Sequence, residues 1–373
     1  MPFAAALSEH PVPAYATGEV CGQVLEGVGA HPDLAIVFTT LAHAGALDDV
    51  VTTVREVLSP SVLVGAACET VIGTGREVEG GPGVSLWAAR FGPVAAVRSL
   101  PVEVPFTPSA LVVVGDPFSV DPGELLAEVA AEYPGLPVVG GMASGARAPG
   151  ATRLALDGAV YSSGLVGALL GPGADVVTLV SQGCRPIGRP FVVTDGDSQI
   201  IRSLGGKPPL ERLEEIADKL APEEVRAINT GGLHIGRVVD ERKADFGPGD
   251  FLVRQVIGGD RDTGAIAVND VVEVGTTVQF HVRDAAAAHA ELDTMLSSLP
   301  SDDAADAALL FSCNGRGARL FGVPDHDAAL VSDRLGRVPT TGFFAAGELG
   351  PVSGRNELHS YTASMLLLRE HLP

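Results

Sequence analysis

The strongest constraint on this chain is a unit that recurs along it: apolar strand, helix, second strand, glycine loop. Residues 33–40 (DLAIVFTT) form an apolar run of strand length, and residues 48–58 carry Val50, Val51, Val54, Val57 and Leu58 at helical spacing. Residues 61–73 (SVLVGAACETVIG) then read as a second strand entering a glycine loop. The same order returns in residues 110–115 (ALVVVG), a helix over 123–133 with Leu125, Leu126, Val129 and Tyr133 on one side, and 137–146 (PVVGGMASGA). It returns again in residues 308–313, a helix over 327–335 closed by Gly336, and 339–351 (PTTGFFAAGELGP). A strand that reads as a continuous apolar run is buried on both faces, so such units point to α/β layers and not to an all-β sandwich.

Between the units, residues 84–91, 159–170, 176–181, 251–257, 265–268 and 276–282 read as further strands, which makes the sheets mixed. Helices are expected over 210–220, with Leu210, Leu213, Ile216 and Leu220 in register, and over 285–299, capped by Asp284. The expected fold is therefore α/β (α+β mixed), with mixed sheets flanked by helices. A length of 373 residues suits two packed domains. The Gly- and Pro-rich stretch 183–190 suggests a boundary that gives domains 1–195 and 196–373. Residues 302–306 and 241–249 read as solvated loops, the second with turn chemistry in Asp245-Phe246-Gly247-Pro248-Gly249.

Composition excludes several classes. The net charge of −21 repels nucleic acid and anionic membrane, since binding either relies on clustered Lys and Arg. Although 46% of residues are hydrophobic, many are alanine, and no run of about 18 strongly apolar residues occurs, so no membrane span is expected. The N-terminus lacks a basic segment followed by a signal-length apolar run, which points to a cytoplasmic protein. Cys21, Cys68, Cys184 and Cys313 show neither CxxC spacing nor disulfide density, and no histidine pair has metal-ligand spacing, so no metal and no cofactor is expected.

Chemistry concentrates in two loops. In 308–317 (ALLFSCNGRG) a strand ends on Cys313, Asn314, Gly315, Arg316 and Gly317, which offers a thiol, a guanidinium and exposed backbone N–H groups. In 342–359 (GFFAAGELGPVSGRNELH) glycines surround Glu348, Arg355, Asn356 and His359. Arg316 suits a ligand carboxylate, or else a structural pairing with Glu348 or Asp284; Glu348 suits a ligand ammonium or Arg316. Arg316 beside Cys313 would lower the thiol pKa. Gly141 and Ser144 in GGMASGA lack the lysine and spacing of a phosphate loop and read as a turn or as one wall of a small-ligand cleft, with Cys68 in the equivalent place of the first unit. Asn356 reads as a ligand contact or as the cap of a helix starting near Leu358. The alternative is a cysteine-dependent hydrolase or thiol transferase with Cys313 as nucleophile and His281 or His359 as base, and a second alternative is a ligand-free scaffold.

The motifs PVVGGMASGA, GTTVQFHVRD (275–284), FSCNGRG and TGFFAAGELGP with NELH, in this order along the chain, resemble the FIST family of paired FIST_N and FIST_C domains, from about residue 20 onward. The stretch 192–213 resembles that family's crossover between the two domains. The resemblance implies a sensory, signal-transducing protein that binds a small ligand, such as an amino acid or related metabolite, without enzymatic activity. It also implies output through a kinase or other signalling protein in trans, or through a homodimer.

Overall fold

The computed structural model describes residues 2–217, 219–243, 245–246, 249–300 and 305–370. Part of the turn expected at 245–249 and of the loop at 302–306 lies outside them. The chain divides into two compact units, Met1–Val180 with Met295–Pro373, and Ser181–Thr294. The expected division at 195/196 falls inside the strand Cys184–Asp197 of the second unit.

The first unit holds three six-stranded sheets. Each is built around one of the repeated units, whose two strands lie parallel: Leu34–Thr40 on Val62–Cys68, Ala110–Gly115 on Val138–Met142, and Ala307–Cys313 on Thr340–Ala345. The helices Leu47–Leu58, Pro122–Glu132 and His326–Leu335 make the three crossovers. A parallel pair needs such a crossover because a tight turn reverses chain direction. Each first strand carries an antiparallel neighbour on its other side, Val84–Ala89, Leu165–Leu170 and Ala363–Glu370 respectively.

The three sheets exchange strands in a cycle. After the second parallel strand the chain leaves its own sheet and adds a hairpin to the next one. The first unit's Thr70–Gly73 pairs with Thr340–Ala345 of the third. The third unit's Glu348–Val352 pairs with Val138–Met142 of the second, and the second unit's Leu154–Leu156 pairs with Val62–Cys68 of the first. The continuous runs expected at 61–73, 339–351 and 159–170 are thus each two strands, and in all three the halves lie in different sheets. The arrangement is a pseudo-threefold.

Close approach fixes the register. A Cβ on Gly140 or Gly342 would stand 1.9 Å from Val113 O or 1.7 Å from Leu310 O, and one on Gly65 would stand 2.7 Å from Val37 O. These three glycines mark equivalent points, and counting on from them makes Thr40, Asp116 and Cys313 equivalent. The backbone agrees: Thr40 N, Asp116 N and Cys313 N donate to Gly83 O, Gly164 O and Thr362 O.

The inner faces of all three sheets share one core, in which Ile36, Phe38, Val64, Val112, Val114, Val166, Leu309, Phe311 and Phe343 pack together. Phe343 meets Phe38 at 4.9 Å and Phe311 at 5.3 Å between ring centroids, both edge-on, the favoured geometry of aromatic pairs. The strand Phe3–Ser8 and the helix Pro13–Val28 precede the first repeat and are additional to the elements expected; the helix covers the outer face of the first sheet with Ala16, Val20 and Val24.

The second unit is a closed barrel of Cys184–Asp197, Ile200–Leu204, Ile266–Val268, Phe251–Gly259, Leu233–Val238 and Thr277–Arg283. Its interior is filled by Ile187, Phe191, Val193, Ile235, Val278 and Phe280. In sequence it lies between the second and third repeats, entering after the strand Ala174–Ser181. No described helix is long and apolar enough to cross a membrane.

Candidate functional site

The three repeats meet at the carboxyl ends of their second parallel strands. Ser144 Oγ accepts from Glu69 N at 2.9 Å and donates to Phe344 O at 2.5 Å, so one hydroxyl of the second repeat ties together the first and third. Ser144 is buried, as is Cys68 beside it, whose thiol burial pushes up.

From this meeting point the third repeat carries Glu348 inward. The crossing strands place Glu348 opposite Gly141, Val71 opposite Phe343 and Leu154 opposite Ala66. Each partner directly follows its marker glycine, so Glu348 occupies the position filled in the other two repeats by Val71 and Leu154, both core residues. A carboxyl has replaced an aliphatic side chain. Glu348 is 0% exposed. Its Oε2 accepts from Thr362 N at 3.1 Å and Thr362 Oγ1 at 2.9 Å, while Oε1 has no hydrogen-bond partner. Burial raises its pKa to about 8, opposed by the Thr362 bonds, a hydrogen bond with the Cys313 thiol and the Arg316 charge.

Cys313 lies against this carboxyl. Burial, then the Glu348 charge, pushes the thiol up to about 12. The expected lowering by Arg316 is therefore corrected: desolvation disfavours the thiolate more than a committed guanidinium favours it. The turn that covers both groups is strained, since Tyr361 sits at φ 67, a left-handed conformation rare for a bulky residue.

Arg316 is turned into the protein. It is fully buried and grips Asp327, with Nε to Oδ2 at 2.7 Å and Nη2 to Oδ1 at 2.9 Å. This corrects both structural pairings read from the sequence, with Glu348 and with Asp284; Asp284 instead caps the helix Ala285–Ser297 through Ala286 N. Asp327 Oδ2 also accepts from Ser312 Oγ at 2.6 Å, and Oδ1 lies 3.0 Å from His326 Nδ1. Burial opposes its ionisation, yet Arg316, His326 and Ser312 hold the Asp327 carboxyl well below its ordinary range. Glu77 closes the network by accepting from Asp327 N and Ala328 N at the start of the helix His326–Leu335, both at 3.0 Å. Burial and Asp327 raise the Glu77 pKa to about 8. The network clamps the loop that follows Cys313.

Of the expected site residues, Cys313, Glu348, Gly141 and Ser144 come together at the meeting point. Asn314 stays on the same loop, donating from its N to Ala345 O, with its Oδ1 buried and without a hydrogen-bond partner. Gly315 N donates to Cys313 Sγ at 3.4 Å, and Gly317, at φ 62, starts the short helix Ala318–Phe321. Arg355 is exposed. Asn356 caps no helix: it lies in the strand Arg355–His359 and its side chain bonds Val138 N and Leu136 O.

His359 Nε2 lies 2.9 Å from Gly350 O, and His281 belongs to the barrel unit, where Nδ1 lies 3.0 Å from Gln279 O and burial lowers its pKa to about 4. Asp327, Glu77, Thr362 and Tyr361 were outside the sequence-derived site. Asp327 is an acid at a helix start 11 positions beyond Arg316, and nothing local marks Glu77 or Thr362.

Comparison with known families matches the FIST N domain over residues 33–207 and the FIST C domain over 209–351. The chain belongs to the FIST family. A protein of Mycobacterium tuberculosis H37Rv, described as uncharacterized, is 44% identical over 361 residues, 92% of each chain. An uncharacterized protein of Mycobacterium bovis is 42% identical over 369 residues, 94% of each chain. FIST domains are associated with sensory signal transduction. The seam between the two matches falls inside the barrel unit, because strands from the C-terminal match complete sheets begun in the N-terminal one.

Proposed function

We propose that this FIST protein is a sensor of a small metabolite of the amino-acid class, bound where the three repeats meet, and that it passes occupancy to a kinase or other output protein in trans. The observation that carries the reading is Glu348, a fully buried carboxyl whose Oε1 meets no N–H or O–H donor and whose further side-chain partner besides Thr362 is the weakly donating Cys313 thiol, at a position where both pseudo-equivalents are aliphatic. Burying such a group without a partner costs stability, and a fold that needed only a core would place Val or Leu there. The strained turn at Tyr361 supports it, since strain of this kind collects at ligand clamps. Ser144 and Cys68 complete the wall. The high pKa of Cys313 favours a contact residue over a nucleophile.

The test is a thermal-shift screen of the purified protein against amino acids, small carboxylic acids and nucleotides, repeated with Glu348→Gln. A ligand that binds only the folded state at one hundred times its Kd stabilises by about 2.7 kcal/mol. A shift in the wild type that the variant loses supports the reading. No shift from any compound, or a shift that the variant keeps in full, removes it.

A further inference from the structure

We propose that the ligand presents a primary ammonium group, seated on Glu348 Oε1 between the Cys313 thiol and the Asn314 side chain. This rests on the small-ligand reading above and deepens it.

The argument is one of donors and acceptors. Arg316 directs Nε and Nη2 to Asp327 and Nη1 to Tyr361 O. Thr362 directs N and Oγ1 to Glu348 Oε2. The Cys313 thiol, a weak donor, also hydrogen-bonds the Glu348 carboxyl, but no N–H or O–H donor reaches Glu348 Oε1 or Asn314 Oδ1, both buried. An ammonium brings three donors and a compact charge, whereas a guanidinium needs both oxygens of a carboxylate for its planar fork, and Thr362 occupies one of them. A metal ion fits poorly, since the described residues include no group of three or more His, Cys, Asp and Glu side chains able to hold one.

A proton must leave when the ammonium arrives. With its pKa raised to about 8, the empty Glu348 carboxyl holds its proton at neutral pH. Binding converts a neutral carboxyl and a cationic nitrogen into a carboxylate–ammonium pair and one proton in solution; no bond in the ligand changes. Burial, which disfavours the lone carboxylate, then strengthens the pair.

The experiment is isothermal titration in two buffers of different ionisation enthalpy, with L-amino acids and linear primary amines as probes, each beside its N-acetyl form. We expect only the amino forms to bind, releasing about one proton at pH 6.5 and about a quarter of a proton at pH 8.5. Glu348→Gln abolishes the release and weakens binding at least about tenfold, and Asn314→Ala weakens binding while leaving the release intact. Acetylated forms that bind as tightly, or amines that bind without releasing a proton, overturn the ammonium assignment and leave the small-ligand reading standing. If neither these probes nor the wider screen yields any binder, both fall together.

Discussion

Replacing Glu348 with Gln tests the energetic core of the site without a ligand. Gln keeps an acceptor for Thr362 N and Oγ1 and almost the same volume, so what it removes is the titration. In the unfolded chain a glutamate ionises near 4.3, and in the folded protein this one ionises near about 8. A folded-state pKa above the unfolded value means that the native state binds the extra proton. Below about pH 4 both states are protonated and Glu348 costs nothing; between the two pKa values stability falls by about 1.4 kcal/mol per pH unit, and above about 8 it is level. At pH 7 the penalty is about 3.6 kcal/mol, and at pH 5 it is about 1 kcal/mol. Urea midpoints from pH 5 to pH 9 should therefore show Glu348→Gln above wild type by about 0.4 M at pH 5 and by about 1.2 M at pH 7, for a slope of about 3 kcal/mol/M. Glu77 adds a similar slope to both proteins and cancels in the difference. Parallel curves for wild type and variant across this range would refute the claim that the carboxyl is buried and uncompensated.

Three further outcomes follow from the same geometry. Arg316→Ala leaves the Asp327 carboxylate buried without its guanidinium, held only by Ser312 and His326 among side chains, which should cost about 3–5 kcal/mol, while Arg316→Met combined with Asp327→Leu recovers much of it; chemical denaturation of the single and double variants measures both. Ser144→Ala removes the hydroxyl shared by Glu69 N and Phe344 O and should cost about 1–3 kcal/mol by the same measurement. With its thiol pushed up to about 12, Cys313 in the native protein should react with iodoacetamide at pH 8 at least about 100-fold more slowly than a peptide thiol, read by mass spectrometry of the digested protein; an ordinary rate would restore the nucleophile reading.

The repeats were legible because their cause is local. A parallel strand buried on both faces needs an unbroken apolar run, as in LAIVFTT or AALLFSC, and a crossover helix needs its 3.6-residue stripe, as in Leu47–Leu58. Cys313, Glu348, Gly141 and Ser144 stood out because polar or glycine residues ended those runs. The pairing of Arg316 was not legible: Asp327 lies 11 positions away across a loop, and Glu77 lies 250 positions from the Asp327 N–H that it accepts. Asn356 shows the same limit, since a residue that looks like a cap was placed by cross-strand pairing on a strand edge.

The sequence by itself determined that there are three strand–helix–strand units, which strands are buried, and which loops carry chemistry. Only the tertiary structure decided that each unit gives its last hairpin to the next sheet, so that strands adjacent in sequence lie in different sheets. It decided too that Glu348 enters a core position that Val71 and Leu154 fill elsewhere. The physical reason is that periodicity records whether a side chain is buried, while its partner is set by register between segments hundreds of residues apart, and register leaves no mark on either segment alone.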